Sequence, residues 1–323
     1  MSELRWNPLL EEWVVTATHR QERTFLPPQD YCPLCPTRAG STATEIPAGD
    51  YEIAVFENRF PTFQRHPPEP AVEGSELCPV RPAQGVCEVV LYTSQHEGSL
   101  GELPVEHIRK LIAVWADRWL ELGALPYVQY VQIFENRGRE IGVTLTHPHG
   151  QIYAFPFIPP VLERELAACR RHQRVSKHCL LCDILAAERR EGTRVVRENV
   201  GFTAFVPFFA RYPHEVHIVS RVHRTSIAEL GDDECWDLAA LLKDTVCRFD
   251  ALYGFPLPYM MVMHQRPSDG KRYPYYHFHI EFYTLHRTAD KLKYRASSES
   301  GAGVFSTDEL PEQWAAELRA AGA

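Results

Sequence analysis

The chain has no run approaching the roughly 18 apolar residues that a membrane-spanning helix needs. Its first residues, Met1-Ser2-Glu3-Leu4-Arg5-Trp6, carry charge where a secretory signal peptide needs an apolar core. A chain that stays in the cytoplasm, with no membrane partner, is the expectation. Basic excess is missing as well. Against 42 Asp and Glu stand only 34 Lys and Arg, a formal charge of -8, which speaks against a nucleic-acid groove as the main business. An anionic ligand would have to be met by local Arg and Lys. Cysteine is not scarce: nine of them, without a secretion signal, favour thiols and metal ligands over a disulfide framework.

The centre of the sequence is His147-Pro148-His149-Gly150-Gln151, between an extended stretch, Tyr127 to Phe134, and an apolar run, Ile152 to Ile158. Side chains of a strand alternate, so His147, His149 and Gln151 share one face and Pro148 and Gly150 the other. The plain alternative is a solvated polar face. Against it, the flanking apolar runs bury the segment, where polar groups need partners, and Gly150 allows a phosphate-sized ligand close to the backbone.

With 323 residues the chain exceeds what a single core usually serves, and its two parts repeat one order. The first runs through Trp13-Val14-Val15-Thr16, Cys32-Pro33-Leu34-Cys35, strands over Tyr51 to Phe56 and Val86 to Thr93, and Ser94-Gln95-His96. A helix from Leu103 to Leu122, with Pro104 near its start and Gly123 at its end, then leads to the centre. The second offers Cys179-Leu180-Leu181-Cys182, Glu198-Asn199 echoing Glu57-Asn58, and His217-Ile218-Val219-Ser220 running to His223. A helix over Asp232 to Tyr253 precedes Tyr259 to His264, and the half closes on His277-Phe278-His279-Ile280-Glu281. This is an internal duplication, with halves at 1–160 and 161–323. Strands in hairpin-like succession with one long helix per half predict an α+β fold, antiparallel sheets joined edge to edge or packed about a pseudo-twofold axis.

Zinc takes four N and S ligands, and the first half supplies Cys32, Cys35, His96 and His147. A redox pair at Cys32 and Cys35 is the competing reading, weakened by the proline-rich loop around them. Four protein ligands make a closed, structural site, which would hold the strand so that His149 is the reactive group. A neutral imidazole is a competent nucleophile toward phosphorus, provided its other ring nitrogen is hydrogen-bonded, most economically to a backbone carbonyl. Gln151 would donate its amide to phosphoryl oxygens and cannot shuttle a proton. Arg20 and Arg23 are either a solvated loop or a phosphate clamp. The tail, Thr288 to Ala323, with a final helix from about Asp308, has a composition that suits either an anion-contacting loop or a plain surface loop.

The run Asn136 to Gln151 resembles the galactose-1-phosphate uridylyltransferase family, a branch of the histidine triad superfamily. Agreement extends to Asn7-Pro8-Leu9 with Trp13, His19-Arg20, the Cys-x-x-Cys, Phe134-Glu135-Asn136, Phe255 to Tyr259, and Lys293 with Glu299. The resemblance implies two tandem histidine-triad-like halves with flanking helices, the second ending in a substrate-contacting tail. It implies transfer of uridylyl from UDP-glucose to galactose 1-phosphate through a uridylyl-His149 intermediate. Arg20, Arg23, Asn58, Asn136 and Thr144 would hold the nucleotide. Lys293, Tyr294 and Glu299 would contact the hexose phosphate, donated across a homodimer.

Departures from the family bear on this. Some relatives hold iron through a glutamate and three histidines, for which the nearest equivalents are Glu165, His264, His279 and Glu281, a carboxylate replacing one imidazole. The same half instead offers Cys179, Cys182, His223 and His277, a second zinc set, unless those cysteines are buried thiols. Thr284-Leu285-His286-Arg287 breaks the expected run before the tail, and Val143 replaces a small polar residue. Competing functions are an ADP-sugar phosphorylase on the same scaffold and a non-catalytic, zinc-stabilised nucleotide-binding protein.

Overall fold

The structure is a computed structural model and describes residues 2–24, 31–38, 40 and 42–322, with residues 22–24 described by their backbone alone. The Arg23 side chain lies outside this description.

The first half contributes β3 (Ala54–Glu57), β5 (Val86–Leu91), β6 (Tyr130–Arg137) and β7 (His149–Phe155), while β1 (Ser2–Asn7), β2 (Glu12–Ala17) and β4 (Val80–Pro82) form a separate three-stranded sheet. The second half contributes β8 (Val195–Glu198), β9 (Phe202–Phe205), β10 (Val216–Ser220), β11 (Tyr259–His264) and β12 (His279–Thr284). Nine strands make one sheet in the order β3-β5-β7-β6-β11-β12-β10-β9-β8, every neighbouring pair antiparallel. The seam between the halves is the β6–β11 pair, where Phe134 faces Val262 and Asn136 faces Met260. Outward from it, β6-β7-β5-β3 on one side answers β11-β12-β10-β9 on the other, with β8 an additional edge strand in the second half, the arrangement expected of a repeated unit joined edge to edge.

Two helices cover one face. In α1 (Val105–Gly123), the buried residues Ile108, Leu111, Ile112, Trp115, Trp119 and Leu122 recur at three and four, one stripe of a 3.6-residue helix. Its counterpart is α4 (Asp232–Tyr253), which opens on Asp232, Asp233 and Glu234, acidic side chains favoured at a helix N-terminus. Gly254, at φ 73°, ends it in the left-handed conformation. Both pack into one core with Val90, Val131, Ile133, Ile152, Ile218, Met261 and Ile280 from both halves of the sheet. Glu88, buried on the helix side of β5, is held by both ends of the Arg118 guanidinium of α1, at 2.8 and 2.9 Å.

Two further helices, α2 (Pro160–Ser176) and α3 (Leu180–Glu191), follow β7 directly. Sequence periodicity does not flag them: α2 buries Leu162, Leu166 and Cys169, and α3 buries Leu185 and Glu188. The tail helix α5 (Pro311–Ala321) starts three residues later than expected and seats Trp314 and Leu318 on the common core. Opposite the helices, the small sheet covers the Tyr153 end of β7 through Leu4, Phe63 and Cys87 and leaves its His149 end open. Among the described residues no helix is long and apolar enough to cross a membrane.

Trp115 is fully buried between α1 and the sheet. Trp115→Ala is expected to lower the unfolding free energy by about 3–5 kcal/mol in a urea titration, with both halves lost in a single transition. Two separated transitions would contradict a shared core.

Candidate active site

A cavity of about 540 Å³, within the range of small-molecule sites, opens at the start of β7. His149, Gly150 and Gln151 line it together with Asn58, Asn136 and Thr144, five of them residues singled out from sequence for binding or chemistry. His149 Nδ1 lies 2.7 Å from the carbonyl of His147. An N–H donated there leaves Nε2 with its lone pair, the tautomer a nucleophile needs. Burial holds the His149 pKa below 6.5, against the hydrogen bond to His147, so the ring is neutral at physiological pH. Asn58 Nδ2 donates to Gln151 Oε1 at 3.2 Å, and Asn58 Oδ1 accepts from the Phe60 amide at 2.9 Å. The Gln151 carbonyl is thereby engaged, and its NH₂ remains to donate. Leu34, Phe56, Phe60 and Val89 give the cavity an apolar wall, and Arg59, paired with Glu45 at 3.3 Å, stands at its edge.

His147 is buried and does not line the cavity. Its Nε2 lies 2.8 Å from the Thr93 carbonyl and 2.9 Å from the Tyr51 hydroxyl, which leaves Nδ1 as the acceptor. That atom sits 4.0 Å from Cys32 Sγ and 3.7 Å from Cys35 Sγ, and His96 Nδ1 is 3.5 Å from Cys35 Sγ. Tetrahedral zinc, with bonds near 2.3 Å to sulfur and 2.0–2.1 Å to nitrogen, sets S···N at about 3.5 Å. The donor set and its spacing therefore fit the ion expected there. Burial pushes the His147 pKa down to about 4, which keeps the imidazole available as a neutral ligand.

The second half repeats this arrangement. His277 Nδ1 lies 3.8 Å from Cys179 Sγ and 3.3 Å from Cys182 Sγ, while His223 Nδ1 is 3.6 Å from Cys182 Sγ. His277 Nε2 is 2.9 Å from the Ser220 carbonyl. From sequence, Glu165, His264, His279 and Glu281 stood as a rival account of one second metal. The structure corrects this: both sets are assembled, each with its ligand atoms within 4.8 Å of one another, and they share no residue. In the second set burial works against the His264 charge, but Glu165 and Glu281 hold the imidazole up at about 9. Glu281 lies well below the carboxylate range despite its burial, because His217, His264 and His279 surround it.

Several expectations change in three dimensions. The missing side chain of Gly150 does not open space for a ligand: a Cβ there would collide with the Tyr92 hydroxyl and lie 3.0 Å from the Phe134 carbonyl, on the helix side of the strand. Arg20 bonds the Thr62 hydroxyl, beside Tyr153, and does not line the cavity. Lys293 and Glu299 pair with each other, 3.1 Å apart and both buried, and Lys293 borders a different cavity of about 220 Å³. Tyr294 is 74% exposed. The tail thus does not reach the cavity of its own chain. Val143 does line the cavity, as its departure from the pattern suggested. Sequence reasoning missed Tyr51 as the partner of His147, and Tyr92 and Glu135 behind Gly150; none of these lies in a spacing that marks it. Only the glycine beside His149 hinted at a close neighbour.

The N-terminal domain of galactose-1-phosphate uridyl transferase matches residues 1–159, and its C-terminal domain matches residues 165–320. A galactose-1-phosphate uridylyltransferase from Thermotoga maritima is 40% identical over 99% of this chain and 98% of its own. A solved uridylyltransferase structure superimposes with a TM-score of 0.89 at 38% identity, covering 99% and 98% of the two chains. An ADP-glucose phosphorylase from Arabidopsis thaliana with bound ADP-glucose, TM-score 0.74 over 99% of each chain, is 22% identical and shares the fold.

Gly150→Ala tests the packing behind His149. Forcing a methyl against Tyr92 and the Phe134 carbonyl is expected to cost about 1–3 kcal/mol, read from the urea midpoint. A variant as stable as the native chain would place Tyr92 elsewhere.

Proposed function

The chain belongs to the galactose-1-phosphate uridyl transferase family and is a transferase, and we propose that it moves uridylyl from UDP-glucose to galactose 1-phosphate with His149 as the covalent carrier. What carries this reading is the single imidazole in the cavity, neutral, with Nδ1–H tied to the His147 carbonyl.

In the first half-reaction His149 Nε2 bonds the α-phosphorus as the bond from phosphorus to the glucose 1-phosphate oxygen breaks. In the second, a phosphate oxygen of galactose 1-phosphate bonds the same phosphorus and the N–P bond breaks. Both departing groups, sugar phosphate and imidazole, are competent without a proton, so no general acid is needed. Gln151 suits this role, with its carbonyl held by Asn58 and its NH₂ free to donate to phosphoryl oxygen. The ring gains positive charge on phosphorylation, and the His147 carbonyl accepts the more acidic Nδ1–H. Asn58, Asn136 and Thr144 hold the nucleotide, whose base lies against Leu34, Phe56 and Val89. Arg20 would serve only from outside the cavity wall of this chain.

Cys32, Cys35, His96 and His147 would hold one zinc ion and Cys179, Cys182, His223 and His277 a second, and with four protein ligands in each set the ion would supply rigidity to the strand it clamps. Thiol ligands of this kind suit the reducing cytoplasm. Glu165, His264, His279 and Glu281, richer in oxygen, suit iron better than zinc. The working unit is a homodimer in which the tail of one copy, with Tyr294 exposed, reaches the cavity of the other, while Lys293 and Glu299 keep that tail in shape.

Mass spectrometry of protein mixed with UDP-glucose alone is expected to show one uridylyl unit on the peptide containing residue 149, lost on adding galactose 1-phosphate. His149→Gly should abolish turnover while keeping UDP-glucose binding; transfer by that variant would refute the covalent route. Faster loading from ADP-glucose than from UDP-glucose would favour a phosphorylase instead. Elemental analysis should find two zinc per chain, with Cys35→Ser and Cys182→Ser each losing one. A single zinc and no other metal would remove the second site.

A further inference from the structure

Behind the strand that carries His149, on the side away from the cavity, lies a buried carboxylate that the proposed chemistry does not use. Glu135 is on β6, one residue before the cavity residue Asn136, and strand alternation turns it toward the helices. The register of β6 on β7 pairs Phe134 with Gln151, and one step further sets Glu135 opposite Gly150. One carboxylate oxygen accepts the Tyr259 hydroxyl at 2.7 Å. The other oxygen and the Tyr92 hydroxyl are neighbours, coupled through charge and side-chain hydrogen bonding, and neither has a further hydrogen-bond partner among the described residues.

Tyr92 links this carboxylate to the reactive segment at two points. Its backbone amide donates to the Pro148 carbonyl at 3.0 Å, and its hydroxyl fills the place of the missing Gly150 side chain. Residues 148 and 150 flank His149. The ring of Tyr92 is itself fully buried, edge-on to Trp115 with centroids 5.9 Å apart.

Burying a carboxylate in a hydrophobic core is costly, and the groups around this one offset that cost only in part. The charged and titratable groups facing it are Tyr92 from β5, Arg137 from β6, Tyr259 from β11 and Asp250 from α4. Arg137 is the one cation in this set, and Asp250 already occupies its guanidinium at 2.9 and 3.0 Å. One arginine serves two carboxylates, so the patch carries a net negative charge.

We propose that Glu135 is a positioning residue for His149: acting through Tyr92, it fixes the backbone on either side of the nucleophile and keeps a negative charge behind a ring that becomes cationic during transfer. This rests on His149 being the uridylyl carrier. Burial drives the Glu135 pKa up to about 6, against the Tyr259 hydrogen bond and the Arg137 charge. The carboxylate is ionised above that pH and neutral below it, so its contribution to catalysis is lost as pH falls through about 6. Stability runs in the opposite sense. Because the folded pKa lies above the unfolded one, ionisation weakens the fold as pH rises through about 6.

The test uses the full-length native enzyme with Glu135→Gln and Tyr92→Phe, singly and together. Each single variant is expected to lower kcat about 10–100-fold, the range for displaced supporting groups, with KM for UDP-glucose within about threefold. The double variant should be no worse than the poorer single, since both act along one path. The acid decline of kcat in the native enzyme should be shallower in Glu135→Gln, which lacks the step that Glu135 adds to protonation of His149, and its Tm at pH 8 should equal or exceed the native value. Single variants with native kcat, or an acid profile in Glu135→Gln identical to the native one, would overturn the assignment, as would losses that track a fall in Tm. A native enzyme that takes up no uridylyl on residue 149 would defeat the carrier reading and this proposal with it. A native enzyme that does so while Glu135→Gln matches it would defeat the positioning role alone.

Discussion

His147 is the residue on which the site depends. Its ring is fixed at both nitrogens, Nε2 by the Thr93 carbonyl and Nδ1 by the Cys32 and Cys35 sulfurs, and its carbonyl in turn takes the Nδ1–H of His149. One residue therefore ties the metal-type cluster to the tautomer of the reactive imidazole. A histidine anchored only by packing could exchange tautomers or rotate, and its lone pair would face the cavity part of the time. Here the backbone carbonyl decides which nitrogen is bare, and the cysteines decide where that carbonyl is.

Duplication explains why the molecule carries this device twice and uses it differently. His277 repeats the anchoring of His147, and His279 Nδ1 lies 2.9 Å from the His277 carbonyl just as His149 does from His147. Strand β11 pairs His264 with His279 and Val262 with Glu281, whereas β6 pairs Phe134 with Gln151, a register that, continued two residues beyond the paired stretch, sets Asn136 opposite His149. His264, His279 and Glu281 thus occupy the places of Asn136, His149 and Gln151. The polar, uncharged pair in the first half leaves room for an anionic ligand. In the second half, imidazoles and carboxylates neutralise one another in a buried cluster, which suits an ion or a closed charge network and excludes a phosphate.

The sheet makes the two halves one object. With β6 and β11 paired at the seam and α1 and α4 in a single core, the two halves share their main interior, beside which each keeps smaller clusters of its own. The cavity at His149 nonetheless stays a property of the first half, because the small β1-β2-β4 sheet covers Tyr153 and stops short of Gln151.

Much of this was legible in the residues themselves. Local alternation placed His149 and Gln151 together, and paired Cys-x-x-Cys motifs with histidines at repeating intervals announced two S₂N₂ clusters; the α4 boundaries could be read from its acidic start and glycine stop. These are short-range features, set by backbone geometry and ligand chemistry. Tertiary structure alone decided the rest. Helices α2 and α3 have too few buried positions to show a period. Tyr92 and Glu135 meet Gly150 across strands, so no spacing along the chain relates them. Lys293 pairs with Glu299, and Arg20 with Thr62. A charged side chain pairs with whatever the fold brings within reach, and that is a matter of three-dimensional distance, which sequence order does not contain.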